Sequence, residues 1–69
     1  MGLTAGLQLD PDTYYDEYRL RVGGLDGDAL RQARESGELK FARAGRSHVY
    51  KGRWVIDWLD GLAERAGAT

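Results

Sequence analysis

The residues with the strongest chemical character lie in the stretch SGELKFARAGRSHVYKG, residues 36–52. Four cations and the single histidine of the chain surround Gly45 there, namely Lys40, Arg43, Arg46, Lys51 and His48. Contact with phosphate requires positive charge rather than a particular side-chain shape. The stretch therefore predicts a surface that binds a nucleic-acid backbone.

The charge of the whole chain is distributed unevenly. The formal net charge is −1, but residues 1–30 carry −4, residues 31–53 carry +5 and residues 54–69 carry −2. Such an asymmetry bears on the partners of a protein and not on its fold. It is expected when a single face of a small protein meets a DNA duplex, so we predict double-stranded DNA as the partner.

The same stretch offers little for catalysis or for metal binding. Ser47 and His48 are adjacent, but neighbouring side chains of a strand point to opposite faces, and no carboxylate is placed to orient the histidine. A zinc site needs several ligands, and the chain has no cysteine and no second histidine. We therefore expect no enzymatic activity, no metal or other cofactor, and no small-molecule ligand.

Length and composition predict one small domain. A chain of 69 residues buries only about 60% of the surface that it exposes when unfolded, so its core must be small. We predict a flexible arm over residues 1–9, the folded domain over 10–65 and a flexible tail over 66–69. No signal peptide or membrane-spanning run is visible, and the lack of cysteine fits a reducing compartment, so we expect a cytoplasmic protein. Eight arginines against two lysines are typical of a GC-rich bacterium or its phage.

Two patterns compete in the first third of the chain. Asp10 as N-cap and Pro11 at the first helical position predict a helix. Aromatic and apolar residues then recur at helical spacing: Tyr14, Tyr18 and Val22. The alternation over residues 18–22 is also typical of a strand. We favour the helix, and the glycine pair at 23–24 ends the element in either case.

The next elements are a short helix and a hairpin. The helix falls within residues 25–37, with Asp26 as its N-cap, Asp28 near the positive end of its dipole and Gly37 at its end. Two strands follow over residues 39–44 and 48–51, joined by a turn over residues 45–47.

The stretch at residues 52–67, GRWVIDWLDGLAERAG, predicts an amphipathic helix. Its apolar stripe comprises Val55, Trp58, Leu59 and Leu62, and we expect the first three of these to share a core with Leu30. Gly61 weakens the helix by about 1 kcal/mol relative to alanine. The predicted fold is mainly α with a small β-hairpin: a winged helix-turn-helix in the order helix, turn, helix, hairpin, helix.

Residues 24–59 resemble the excisionase-type winged helix-turn-helix domain of the MerR superfamily. The resemblance covers about half of the chain without an insertion and lies in Gly24 of the turn, a short helix at 28–35, SGEL at 36–39, RAGR at 43–46 and WL at 58–59. It implies a recognition helix and a basic wing beside a duplex. The implied function is that of a small DNA-binding accessory protein, either an excisionase-like recombination directionality factor or a small transcriptional regulator. An integrase, or copies of the protein on adjacent sites, are the further partners that it implies.

The predicted DNA-binding residues form two groups. Arg31 and Gln32 lie off the apolar face of the second helix, where arginine can bind guanine and glutamine can bind adenine through paired hydrogen bonds. The hairpin group contacts phosphate, and the arginine at its tip can also enter a minor groove. This group comprises Lys40, Arg43, Arg46, Ser47, His48 and Lys51. Arg34, by contrast, is expected to lay its stem over the core.

Two alternatives remain open. Asp26, Gly27 and Asp28 stand where the excisionase-type domains have small polar or basic residues, and carboxylates facing phosphates repel them. These residues favour a protein-interaction module, a winged fold that no longer reads DNA and uses its acidic N-terminal third against a partner. The chain is also similar, more loosely, to the N-terminal domain of phage terminase small subunits, which binds DNA at packaging sites.

Overall fold

The computed structural model describes residues 8–67, which form three helices and a three-stranded antiparallel sheet. The elements in chain order are β1 (Tyr14–Asp16), α1 (Glu17–Val22), α2 (Gly27–Ser36), β2 (Ala42–Ala44), β3 (Ser47–Lys51) and α3 (Gly52–Gly67). The predicted arm falls outside the described residues as far as position 7, and the predicted tail does so at positions 68–69. Within the described part, no helix is both long and apolar enough to cross a membrane.

The architecture is mixed α/β rather than mainly α, because the start of the domain differs from the prediction. Asp10 does not begin a helix: its carboxylate accepts the backbone N–H of Asp12 at 3.0 Å, and its carbonyl accepts that of Thr13 at 3.1 Å, which makes a turn. β1 follows, and α1 begins only at Glu17. The alternative strand over residues 18–22 is also wrong, since these residues are helical.

The reason for this difference is the pairing of this segment with a strand that is distant in sequence. β1 pairs antiparallel with β3, with Tyr15 opposite Tyr50, and so gains backbone hydrogen bonds that local periodicity does not reveal. Asp16 then caps α1 by accepting the N–H of Arg19 at 2.8 Å. A cap six residues later than predicted therefore shortens the helix to less than two turns.

The predicted α2 and hairpin are confirmed, with shifted strand ends. Asp26 caps α2 by accepting the N–H of Ala29 at 3.1 Å, and Gly37 ends it with φ of +87°. β2 begins at Ala42 rather than at residue 39, because Leu39 is buried in the core and donates its N–H to the carbonyl of Ala33. β3 is the central strand, in the order β1-β3-β2.

The core lies between the helices and one face of the sheet. It comprises Leu20, Leu30, Ala33, Leu39, Tyr50, Val55 and Trp58. The predicted contact of Leu30, Val55 and Trp58 is confirmed, with Leu59 half-buried against them; Leu9 packs in the same way from the N-terminal side. Leu62 is 39% exposed, because α3 continues beyond the core.

The start of α3 lies directly against the N-terminal turn. Gly52 donates its N–H to the carbonyl of Thr13 at 2.8 Å, and Arg53 donates to the carbonyl of Pro11 at 3.1 Å. These bonds satisfy two of the four N–H groups that a helix start leaves free. A Cβ on residue 52 would overlap the backbone of Asp10, so this close approach requires glycine.

Candidate nucleic-acid interface

The hairpin tip brings four of the predicted site residues together. Arg43 in β2 stands opposite His48 in β3, and Arg46 follows Gly45, which has φ of +65°, in the turn between the strands. Side chains alternate along a strand, so Arg43 and His48 share the sheet face of the buried Tyr50, while Ser47 lies on the other face. The tip is therefore polar on both faces.

The two arginines of the tip have no carboxylate partner within residues 8–67. Three ion pairs within 4.0 Å connect side chains of residues 8–67, namely Arg31–Asp28, Arg34–Glu17 and Arg65–Glu38. None of them involves Arg43 or Arg46, and both of these residues are exposed. Their charge is therefore available to a phosphate.

His48 is held in place by its neighbours. Its ring is half-buried and meets the ring of Phe41 edge-on, with centroids 5.4 Å apart. The aromatic contact fixes the imidazole against the base of β2, and so the side chain lies beside the tip rather than at its end.

Lys40 and Lys51 lie at the other end of the hairpin, away from the tip. Lys51 is opposite Tyr14 in the register of β1 and β3, and the Tyr14 ring contacts the Trp54 ring edge-on at 5.9 Å. The ammonium of Lys40 lies 5.8 Å from the centroid of the same Trp54 ring. The six predicted hairpin residues are thus divided between a tip group of four and this pair beside two aromatic rings.

The outward face of α2 has a different electrostatic character. It comprises four exposed residues: Asp28, Arg31, Gln32 and Glu35. Arg31 pairs with Asp28, one helical turn earlier, with Nη2 and Oδ1 3.5 Å apart. Two carboxylates against one guanidinium give this face a net negative charge, and so the predicted base-reading arginine has a competing partner beside it.

A polar network on the inner side of α2 was not predicted. Arg34 Nη1 donates to Glu17 Oε1 at 2.9 Å and to Tyr50 Oη at 3.0 Å, and Tyr50 Oη donates to Glu17 Oε1 at 3.0 Å. Burial raises the pKa of Tyr50, although the hydrogen bond from Arg34 opposes the rise. The hydrogen bond with Tyr50, helped by the charge of Glu17, raises the pKa of Arg34. The network joins α1, α2 and β3, so Arg34 holds the wing to the helices.

Only part of this arrangement has a signal in the sequence. The spacing of Asp28 and Arg31 already indicates an ion pair on a helix. Glu17, by contrast, is distant in sequence from Arg34 and Tyr50, and no local pattern connects them. Comparison of the chain with protein-family models, with characterised proteins and with solved structures found no significant match.

Proposed function

We propose that the protein binds double-stranded DNA through its basic hairpin, as a small accessory factor of the excisionase-like or transcription-regulating kind. The observation that carries the proposal is the exposure of Arg43 and Arg46 at the hairpin tip without a carboxylate partner among the described residues. The order α1, α2, hairpin, α3 supports it, since a winged helix-turn-helix has this order.

The hairpin supplies affinity in this proposal, and α2 supplies selectivity. Arg43 and Arg46 contact phosphates and release counterions, which makes binding sensitive to salt. Arg31 can contact a base edge only after its ion pair with Asp28 is broken. Breaking the pair costs free energy, so the contribution of Arg31 to the affinity for DNA is reduced. We infer that an integrase, or further copies on adjacent sites, adds to the affinity, and that the protein acts in the cytoplasm.

A titration of fluorescent duplex DNA of random sequence tests the proposal. The labelled duplex is held at low salt, and the folded protein is added up to high micromolar concentration while anisotropy is recorded. The proposal predicts saturable binding that weakens steeply between about 50 and 200 mM salt. No binding at the lowest salt by a protein with an intact circular dichroism spectrum discards it.

A second function is favoured by the outward face of α2. Its net negative charge and the Arg31–Asp28 pair suit a protein partner better than a phosphate backbone. We infer a protein-interaction module as the alternative. It predicts that the titration above shows no binding, and that Arg43→Ala and Arg46→Ala change nothing in the recognition of the protein partner.

A further inference from the structure

Two neighbouring cavities lie along α3, the larger between α3 and α2 and the smaller between α3 and the segment that follows α2. Their lining includes Gln32 and Lys40 but none of the four residues of the hairpin tip. The larger, of about 350 Å³, is bordered by Gln32, Ser36 and Leu62, and the smaller, of about 190 Å³, by Trp54 and Asp57. Glu38 and Trp58 border both cavities. We call the two together the α2–α3 groove.

Trp58, which borders both cavities, has an unused hydrogen-bond donor. The residue is only 7% exposed, and its indole N–H has no acceptor among the described residues. Buried polar groups in native proteins are nearly always hydrogen-bonded, because an unmade bond costs free energy. A carbonyl oxygen seated in the groove would be the missing acceptor.

The smaller cavity is suited to a cationic side chain. Glu38, Asp57, Trp54, Trp58 and Lys40 line it. Indole faces and carboxylates both attract ammonium and guanidinium groups. The chain already places cations of its own at this rim.

These internal cations are Lys40, over the Trp54 ring at 5.8 Å, and Arg65, at 3.4 Å from Glu38. Both residues are exposed, so water screens their contacts and they can exchange with a cation from outside. A cationic side chain bound in the smaller cavity would replace Lys40 at the Trp54 ring or Arg65 at the Glu38 carboxylate.

We propose that the α2–α3 groove binds an extended, basic segment of a partner protein. An arginine or lysine of the segment enters the smaller cavity between Glu38 and Asp57. A backbone carbonyl accepts the Trp58 indole N–H, and an apolar side chain lies beside Leu62 in the larger cavity. The smaller cavity lies below the usual size of a small-molecule site, and the two cavities adjoin, so an extended peptide suits the groove better than a compact ligand.

The indole N–H resonances of the two tryptophans provide a direct readout. Isotope-labelled protein is titrated, without DNA, with a set of acetylated and amidated alanine-based hexapeptides. In each peptide an arginine or lysine stands one to three positions from a leucine, in either order. We expect at least one peptide to move the Trp58 resonance downfield to saturation. We expect the same peptide with citrulline in place of arginine to bind at least threefold more weakly. No shift with any peptide at millimolar concentration, or equal binding of the citrulline peptide, overturns the proposal.

Variants separate the groove from general effects of charge. Asp57→Asn should weaken the binding of the basic peptide about two- to fivefold, whereas Asp60→Asn, which removes the same charge from an exposed position on α3 that does not line the groove, should leave it unchanged. Equal losses in the two variants contradict the proposal.

A second copy of the chain is the other occupant that the experiment detects. Movement of the Trp58 resonance with protein concentration alone, without competition from any peptide, would assign the groove to self-association and overturn the peptide proposal. Because no DNA is present, none of these outcomes depends on the proposed DNA contact.

Discussion

The hairpin tip and the outward face of α2 are both exposed and were both predicted to contact DNA, yet their arginines differ. Arg43 and Arg46 have no carboxylate within 4.0 Å among the described residues, whereas Arg31 pairs with Asp28 at 3.5 Å and shares its face with Glu35. The number of cations in a segment therefore does not show how much of its positive charge is unpaired. The pairing depends on whether the backbone brings a carboxylate beside each cation.

Backbone geometry explains the difference. A helix places residues three apart on the same face, so the order of acidic and basic residues in α2 produces an internal pair. A hairpin alternates its side chains between two faces and separates them further at its turn. The described part of the chain between Leu39 and β3 also lacks acidic residues, so no partner arises within that segment. Asp16 and Glu17 border the same surface cavity as Arg46, but neither forms an ion pair with it within 4.0 Å.

The largest expected effect comes from the core that both regions share. Trp58→Ala removes a buried ring that packs with Leu30 of α2 and Tyr50 of β3, and should lower the free energy of unfolding by about 3–5 kcal/mol. Thermal and urea unfolding followed by circular dichroism measure the change. Leu62→Ala, at an exposed position of the same helix, is the control and should alter stability little. An unchanged melting temperature for Trp58→Ala would contradict the core described above.

The two arginines of α2 should differ in their effect on stability. Arg34→Ala removes the cation that pairs with Glu17 and the donor to Tyr50 Oη, leaves only the Tyr50–Glu17 hydrogen bond of the network, and should cost about 1–3 kcal/mol. Arg31→Ala breaks only an exposed pair and should stay within about 0.5 kcal/mol of the parent protein. Urea unfolding of both variants checks the contrast. Similar losses of stability in the two variants would contradict the expectation that the partly buried network of Arg34 stabilises the fold more than the exposed pair of Arg31.

The smallest expected effect concerns the pair itself. Asp28→Asn frees Arg31 and removes a carboxylate from the outward face of α2, so affinity for a DNA duplex should rise about two- to fivefold. Stability should fall by roughly 0.3–1 kcal/mol, because Asp28 also lies in the first turn of α2. Anisotropy titration measures the affinity, with Asp60→Asn as the control for net charge. If the two variants tighten binding equally, α2 is not near the DNA.

The parts of the fold that follow from neighbouring residues were predictable. The caps Asp26 and Gly37, the hairpin turn at Gly45 and the apolar stripe around Trp58 depend on spacings of one to four residues, and each is present. The first third was not predictable in this way. There, Tyr14–Asp16 is a strand only because β3 offers an unpaired edge, which is a consequence of the fold and not of local sequence.

The candidate site also contains features that follow from neighbouring residues and features that depend on the fold. The pairing of Arg31 with Asp28 follows from helix spacing alone. The network of Glu17, Arg34 and Tyr50 joins three elements, and so it depends on how α1, α2 and β3 pack. The face of the sheet on which each hairpin side chain lies depends in turn on strand register, since a one-residue shift would move it to the other face.

The central claim is that the hairpin tip, and not α2, contacts the phosphate backbone. The most direct test is the slope of log affinity against log salt on random duplex DNA for the parent protein and for Arg43→Ala, Arg46→Ala, Arg31→Ala and Arg65→Ala. The last of these removes a cation of α3 that pairs with Glu38, at the end of the hairpin away from its tip, and is the control.

Each lost phosphate contact reduces the steepness of this slope by about 0.9 on duplex DNA. We expect that reduction for Arg43→Ala and for Arg46→Ala, with melting temperatures unchanged, and the parent slope for Arg31→Ala and Arg65→Ala. A parent slope in both hairpin variants, or a reduction in Arg31→Ala equal to theirs, would contradict the account.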